Sequence, residues 1–554
     1  MTADGNPPAT VSELATWAAK THSGTVAIRY TRDGIQHELS YVELEASVND
    51  IADGLIALGV RPGDRVALLA ETRPEWTICD LAIAGIGAVC VPVYPTSSAE
   101  EIAWVLGDSE ARAVICEHLG HFERIGTIRD ALPDLELIAV MEADDGADVI
   151  TLAGLRGWGL TTQRSTQDGK VAPEDPATIV YTSGTTGPPK GCVLTHRNWR
   201  AALDAIVAVT TLGPGDTIYI YLPLAHMFSR MVQLVAFETG ATLHYFGGEI
   251  SNVVAELATV RPTHLPSVPR LFEKVYSFVS ARTSTVDSSD EVRAMVRQAF
   301  GGRLREALTG AAPIAPEILE FFNECGIPIY EAYGMTESTA LISANIPGAV
   351  KFGTVGRALP GIEVRIAEDG EVLARGENLF AGYHNNPAAT AAMLAGGWLH
   401  TGDLGSVDDD GFLRISGRKK DIIITAGGKN LTPANLENDL RQSRWIAHAV
   451  LLGDRRPYPV GLITLDAEEI LPWAQERGLP EDIAALAGHP EVRALIDEVV
   501  QTANNRYAPP ERIRRFAILP ADFSVESGEL TPSLKIRRRV ISERYAPVLD
   551  RLYE

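Results

Sequence analysis

The sequence predicts an α/β protein. It reads as a large N-terminal domain of two βα sheets with a small β-barrel-like subdomain, followed by a smaller α+β C-terminal domain. Three observations predict this. A chain of 554 residues is longer than one ordinary core organises. A unit then recurs. Pro62-Gly63-Asp64 precedes the strand-like Arg65–Leu69, a helix through Leu81, and Gly87-Ala88 before the strand-like Val89–Tyr94. Pro214-Gly215-Asp216 precedes Thr217–Ile220, a helix through Leu234, and Gly240-Ala241 before Thr242–Phe246. First and second glycines lie 24 residues apart in one copy and 25 in the other, which suggests two similar βα units in two parallel sheets. Finally, charge is asymmetric. From Arg418 onward 20 Lys+Arg stand against 20 Asp+Glu, whereas the first 417 residues hold 29 against 52 and so carry the whole net charge of −23.

In chain order, Val11–Ala19 reads as helical, and Tyr41–Leu58 has helical apolar spacing ended by Gly59-Val60. The stretch Ala143–Asp175, rich in Asp, Gly, Thr and Gln, reads as surface. Thr178–Tyr181 is an apolar, β-branched run expected to be a buried strand. His226 closes a Tyr221–His226 segment between strand and helix. Gly353–Trp398 reads as short strands punctuated by turns at Glu368-Asp369-Gly370 and Asn385-Asn386-Pro387, the small β subdomain. The following Trp398–Leu404 segment sets Asp403 near a turn.

Composition excludes several classes. With 45% hydrophobic and 22% charged residues the chain is ordinarily globular. No apolar run reaches the roughly 18 residues a membrane span needs, and the start shows no signal-peptide pattern. The net charge argues against nucleic-acid binding. Cys79, Cys90, Cys116, Cys192 and Cys325 are scattered, with no CxxC pair, and read as reduced core thiols of a cytoplasmic protein.

The chemistry concentrates in a few motifs. After the buried strand come Thr182, Ser183, Gly184, Thr185, Thr186, Gly187, two prolines, Lys190 and Gly191. Glycines permit close backbone approach, while hydroxyls, N–H groups and a lysine suit phosphate oxygens. A Walker loop is excluded, because Lys190 is preceded by two prolines and followed by Gly191 rather than Ser or Thr. Further on, Gly310-Ala311-Ala312 offers a small-residue turn that admits a flat ring. Tyr333-Gly334-Met335-Thr336-Glu337 adds an aromatic and a carboxylate. A carboxylate beside phosphates calls for Mg²⁺.

The run YTSGTTGPPKGCVLTHRN, with YGMTE, TGD, GRKKD and LTPSLK in that order, resembles the adenylate-forming superfamily of acyl-CoA synthetases, adenylation domains and luciferases. It is most similar to the long-chain fatty acyl-CoA ligases. The resemblance runs from about Tyr41 to Arg539 and implies two-step activation of a fatty acid. ATP and the acid give acyl-AMP and pyrophosphate, and the CoA thiol then takes the acyl group. It implies that Thr182–Lys190 hold phosphates, Glu337 binds Mg²⁺ and Thr336 touches the α-phosphate. It places Tyr333, Gly334 and Gly310–Ala312 around adenine, and Asp403 and Arg418 on the ribose. His226 would lie beside the acyl carboxylate. Lys535 would be the catalytic lysine, carried on a mobile domain of residues 418–554 that turns about Lys420 from an adenylating domain of residues 1–417. Gly427 and Gly428 would admit the pantetheine arm. An acidic Thr283–Glu291 run stands where many long-chain ligases carry a longer insertion. Two rival readings stay open: a ligase loading a carrier protein, and a silent acyl- or nucleotide-binding protein of the same fold. ATP, fatty acid and CoA are the expected partners, with no nucleic acid and no transmembrane segment. A peripheral membrane contact and the oligomeric state are left open.

Overall fold

A computed structural model describes residues 6–143, 148–160, 170–182, 188–283, 289–426, 430–532 and 534–554. Among them, a nine-stranded and an eight-stranded sheet form the large domain, and a four-stranded antiparallel sheet (363–366, 371–375, 399–407, 413–418) adjoins them.

The repeated unit is real in three dimensions. Arg65–Leu69 and Val89–Val93 pair in parallel within the eight-stranded sheet, and Thr217–Ile220 and Thr242–Tyr245 do so within the nine-stranded one. Gly63, Gly87, Gly215 and Gly240 all have positive φ, which their lack of a side chain permits. Each aspartate closes the same local turn. Asp64 Oδ2 accepts from the Arg61 N–H at 2.8 Å, and Asp216 Oδ2 accepts from the Gly213 N–H at 3.0 Å.

The two repeat helices, Pro74–Gly85 and Met227–Thr239, are buried along most of their length. They join through a buried bidentate pair, Arg230 to Asp80, with N···O distances of 2.6 and 2.9 Å. Gln233 donates to the same carboxylate at 3.1 Å. A buried charge is tolerable when it meets an opposite one in this way, and the pair ties together the helices of the two sheets.

The Ala143–Asp175 stretch departs from the surface reading. It contains a helix, Leu152–Gly159, whose Leu152, Leu155 and Gly159 are buried against the Tyr41–Ala57 helix. A Cβ on Gly54 would collide with the Leu155 carbonyl, and one on Gly159 with the Asp50 carbonyl. Glycine is therefore what allows the two backbones to touch. Gly353–Trp398 also divides: Arg357–Ala358 edges the nine-stranded sheet, Gly382–Tyr383 edges the eight-stranded one, and two strands enter the small sheet. Asp403 lies inside the Leu399–Val407 strand, just after Gly402 with φ +71°. Helices Pro269–Thr283 and Ser289–Ala299 flank the acidic run, whose central residues 284–288 lie outside the described ones.

Beyond Arg418 the short turn Lys419–Asp421 leads to a three-stranded sheet (446–452, 460–465, 515–518) covered by helices Pro433–Arg441 and Pro490–Asn504. Among the described residues the hydrophobic clusters sort into those confined to residues before 416 and those confined to residues after 422, and none spans both. What crosses is polar. Arg270 pairs with Asp466, Lys274 with Glu468 at 2.6 Å, and Arg537 with Glu101 at 3.7 Å.

Candidate active site

The strands Pro176–Thr182 and Lys190–Thr195 form a hairpin whose last register pair is Thr182 with Lys190. The expected phosphate contacts Ser183, Gly184, Thr185, Thr186 and Gly187 lie in its loop, outside the described residues, as do Gly427 and Gly428. The base of the hairpin is anchored from one helix, Ala99–Asp108. Trp104 Nε1 donates to the Pro189 carbonyl at 2.9 Å, and the Tyr181 hydroxyl to Asp108 at 2.6 Å. Lys190 Nζ stands 5.1 Å from the centre of the Tyr383 ring, and the Tyr383 hydroxyl donates to Glu337 Oε1 at 2.6 Å. Lys190, Tyr383 and Glu337 are thus one connected unit, with the carboxylate buried at 6% exposure. Neither Tyr383 nor Trp104 was singled out by sequence.

Nearby, Thr336–Ser338 forms a single tight turn that carries Glu337. Gly334 is used for packing: a Cβ there would strike the Ala340 carbonyl. Gly310 likewise runs close to the Ala332 carbonyl, with a Cβ approach of 3.1 Å. Ala311 has φ +68°, and Thr339 and Ala340 have φ +50° and +76°. Such conformations are costly for residues with side chains and gather at sites whose surroundings hold them in place. Ala311 and Ala312 are exposed, so this turn is open to a ligand. Behind it, Glu331 is buried; burial pushes its carboxyl up to about 8, and the Ile314 N–H draws it partly back.

The Tyr333 hydroxyl donates to Asp403 Oδ2 at 2.7 Å, and Arg418 Nε lies 3.1 Å from Asp403 Oδ1. Tyr333, placed beside adenine by resemblance, is therefore also tied to the residue expected at the ribose.

Lys535 reaches this group from the C-terminal domain. Its loop is closed by Thr531 N–H to Lys535 O at 2.8 Å and Lys535 N–H to Thr531 Oγ1 at 3.0 Å, with Leu534 at φ +59°. The side chain is exposed to solvent and faces charged groups of the N-terminal domain. Its ammonium is held below the usual lysine range, first by loss of water and then by Arg418, while Glu337 and Asp403 pull the other way. His226 caps the Met227–Thr239 helix, its Nδ1 accepting from the Phe228 N–H at 3.2 Å. Burial first, and the Lys535 charge second, bring its pKa down to about 3, so the imidazole is neutral. Lys535, His226, Glu337, Asp403 and Arg418 thus converge, although they come from distant parts of the chain.

The helix that His226 caps also borders an apolar cavity. One face of the Met227–Thr239 helix lines it through Phe228, Met231, Val232 and Val235.

Among the described residues no three His, Cys, Asp or Glu side chains gather to hold a metal by themselves. A single buried carboxylate oriented by a hydrogen bond from Tyr383 instead suits Mg²⁺ that arrives bound to phosphates, and Glu337 fits that group. Cys192 is buried, and its thiol is raised well above its usual value by burial and then by Glu337, in keeping with packing rather than nucleophilic chemistry.

A family model described as AMP-binding enzyme matches residues 14–384, and one described as AMP-binding enzyme C-terminal domain matches residues 420–554. The chain belongs to the AMP-binding enzymes. This AMP-binding enzyme is 39% identical to the long-chain-fatty-acid–CoA ligase FadD15 of Mycobacterium tuberculosis, over 94% of this chain and 93% of that protein. It is 30% identical to the human long-chain-fatty-acid–CoA ligase 1, over 93% and 82%. Among solved structures, the adenylation domain of a Mycobacterium chelonae carboxylate reductase shares the fold at a TM-score of 0.85 and 22% identity, over 99% of this chain and 92% of that one. A Mycobacterium tuberculosis fatty acyl CoA synthetase does so at 0.66 and 22%, over 98% and 99%. In this AMP-binding enzyme no helix among the described residues is long and apolar enough to cross a membrane.

Proposed function

We propose that the enzyme activates a long-chain fatty acid with ATP as acyl-AMP, releasing pyrophosphate, and then transfers the acyl group to the thiol of CoA, releasing AMP. The observation that carries this reading is the electrostatic coupling of Lys535 to neutral His226, Glu337 and Asp403, at the start of a helix whose face lines an apolar cavity.

A carboxylate is a poor acyl donor until one oxygen is joined to a good leaving group. Its attack on the α-phosphorus of ATP brings anions together, so cations and alignment must supply most of the acceleration. Lys535 is placed to bridge the carboxylate and α-phosphate oxygens, and Thr336 to contact the latter. Thr182 and Lys190 sit at the root of the phosphate loop. Mg²⁺ held through Glu337 would screen the phosphate charge. Asp403 and Arg418 take the ribose, and Gly310, Ala311 and Ala312 border the base. Neutral His226 can stand beside a fatty carboxylate and the apolar chain without adding a charge to desolvate.

With Lys535 seated, the thiol lacks access to the acyl carbon. The domain of residues 418–554 therefore turns about Lys420 between the half-reactions. The polar character of the contacts crossing this boundary supports such a turn.

The test is ATP–pyrophosphate exchange and CoA-dependent AMP release across a panel of carboxylic acids. Exchange that requires a fatty acid, with acyl-CoA as product, is expected. Exchange without CoA turnover, restored by a carrier protein, would move the acceptor. No acid-dependent exchange at all would leave a silent binding protein.

A further inference from the structure

The Ala99–Asp108 helix touches both the phosphate-loop hairpin and the loop that carries Lys535. Its residues Glu101, Trp104 and Asp108 stand at i, i+3 and i+7 and so share one face. Another face is hydrocarbon: Ile102, Val105 and Leu106 belong to the same hydrophobic cluster as Val89, Val91 and Val114 of the eight-stranded sheet. The start of the helix is also fixed. Ser98 Oγ accepts from the Glu101 N–H, and Glu101 Oε2 accepts from the Ser98 N–H, both at 3.2 Å. Arg124 holds the preceding loop by donating to the carbonyls of Pro95 and Ser97 at 3.2 and 3.1 Å.

From this fixed helix, contacts leave in two directions. Toward the hairpin, Trp104 Nε1 donates to the Pro189 carbonyl and Asp108 accepts from the Tyr181 hydroxyl. The Pro189 carbonyl belongs to the peptide that carries the Lys190 N–H, so the indole sets the direction in which Lys190 leaves the hairpin. Toward the C-terminal domain, Glu101 Oε1, the oxygen the capping box leaves over, lies 3.7 Å from Arg537, two residues beyond Lys535. The Thr96 hydroxyl reaches the Pro532 carbonyl at 3.4 Å, within the loop that Thr531 and Lys535 close. The Trp104 side chain is 40% exposed, so it contributes little to the core, and what depends on it is the placing of the hairpin.

We propose that the Glu101–Trp104–Asp108 face is a brace that sets Lys190 and Lys535 in register for adenylate formation, with Trp104 as its main positioning residue. The brace touches neither phosphate nor acid. It acts through the peptide before Lys190 and through Arg537. Only the first half-reaction needs both lysines in place, so only that step depends on it. This rests on the reading of Lys190 and Lys535 as cations of the adenylating step.

The experiment is ATP–pyrophosphate exchange with hexadecanoate, beside single-turnover CoA transfer from supplied hexadecanoyl-AMP, on the full chain. Trp104→Phe keeps a ring and removes the N–H. Glu101→Gln still completes the capping box and removes the charge. In exchange, Trp104→Phe should lower kcat/KM for MgATP by about fivefold through KM, the worth of one neutral hydrogen bond. Glu101→Gln should lower it by about threefold, the worth of a partly exposed ion pair. Because a brace broken at one end no longer transmits from the other, the double variant should lose about fivefold, whereas independent contacts would multiply to about fifteenfold. CoA transfer and the KM for hexadecanoate should stay within about twofold in all three variants. A double variant that loses the full product overturns the brace, and so does equal loss in exchange and transfer, the mark of a merely structural role. An unchanged KM for MgATP in Trp104→Phe overturns the role of Trp104. A wild-type enzyme without acid-dependent exchange overturns the reading of the half-reaction itself, a different result from any of these.

Discussion

The Tyr383 hydroxyl donates to Glu337 Oε1 across 2.6 Å, while the face of the same ring lies 5.1 Å from Lys190 Nζ. One phenol therefore aims the carboxylate proposed for Mg²⁺ and backs the cation at the root of the phosphate loop. Tyr383→Phe keeps the ring and removes only the donor. It should raise the KM for MgATP by about tenfold, as expected for a hydrogen bond to a charged acceptor, and leave the KM for the fatty acid unchanged. Initial rates against each substrate check this, and an equal rise in both constants would count against it.

Lys535→Ala should lower adenylate formation by about a thousandfold, the scale of removing a preorganised charge from a transition state. Thioester formation from supplied acyl-AMP should stay within about threefold of wild type, because Lys535 is needed only in the first orientation. Pyrophosphate exchange and single-turnover CoA transfer separate the two. Equal loss of both would contradict the domain turn.

The reverse split is expected from Lys420→Pro. Lys419 is tied to Asp369 and Glu371 on the body, and Lys420 follows it in a single turn before the C-terminal strands. Proline fixes φ and removes an N–H where the chain must rotate. Pyrophosphate exchange should persist while acyl-CoA output falls by about a hundredfold. A folded variant with both rates near wild type would place the pivot elsewhere.

Glu331 supplies a pH signature. Its folded carboxyl titrates near 8, against about 4.5 when unfolded. The folded state thus holds a proton that the unfolded chain releases. The cost to stability is absent below pH 4.5, grows as pH rises toward 8 and is constant above. Glu331→Gln should therefore stabilise the protein by up to about 5 kcal/mol at pH 9 and leave it unchanged near pH 4. Thermal unfolding of both proteins at the two pH values tests the sign.

The repeated βα unit was legible because its signals are local. A glycine at positive φ and an aspartate that caps its own turn lie within a few residues of each strand. The motifs that carry the family resemblance were legible because each is short and contiguous in sequence. Tyr383 was not, since its partner lies 46 residues away and its strand is only two residues long. Trp104 reaches Pro189 across 85 residues. The Leu152–Gly159 helix was hidden by its own composition: its glycines look like loop residues, yet Gly159 and its counterpart Gly54 are what let that helix settle onto the Tyr41–Ala57 helix.

The contacts joining Arg270 to Asp466 and Lys274 to Glu468 give the C-terminal domain an electrostatic clutch. Both pairs hold the orientation in which Lys535 is seated, and the hydrophobic clusters stop at the boundary, so release exposes little hydrocarbon to water. Pairs of partly exposed charges are individually weak and are screened by salt. Under the proposed turn, ionic strength becomes a throttle on the cycle: dilute buffer should favour the orientation for making adenylate, and added salt should loosen it toward the thiol.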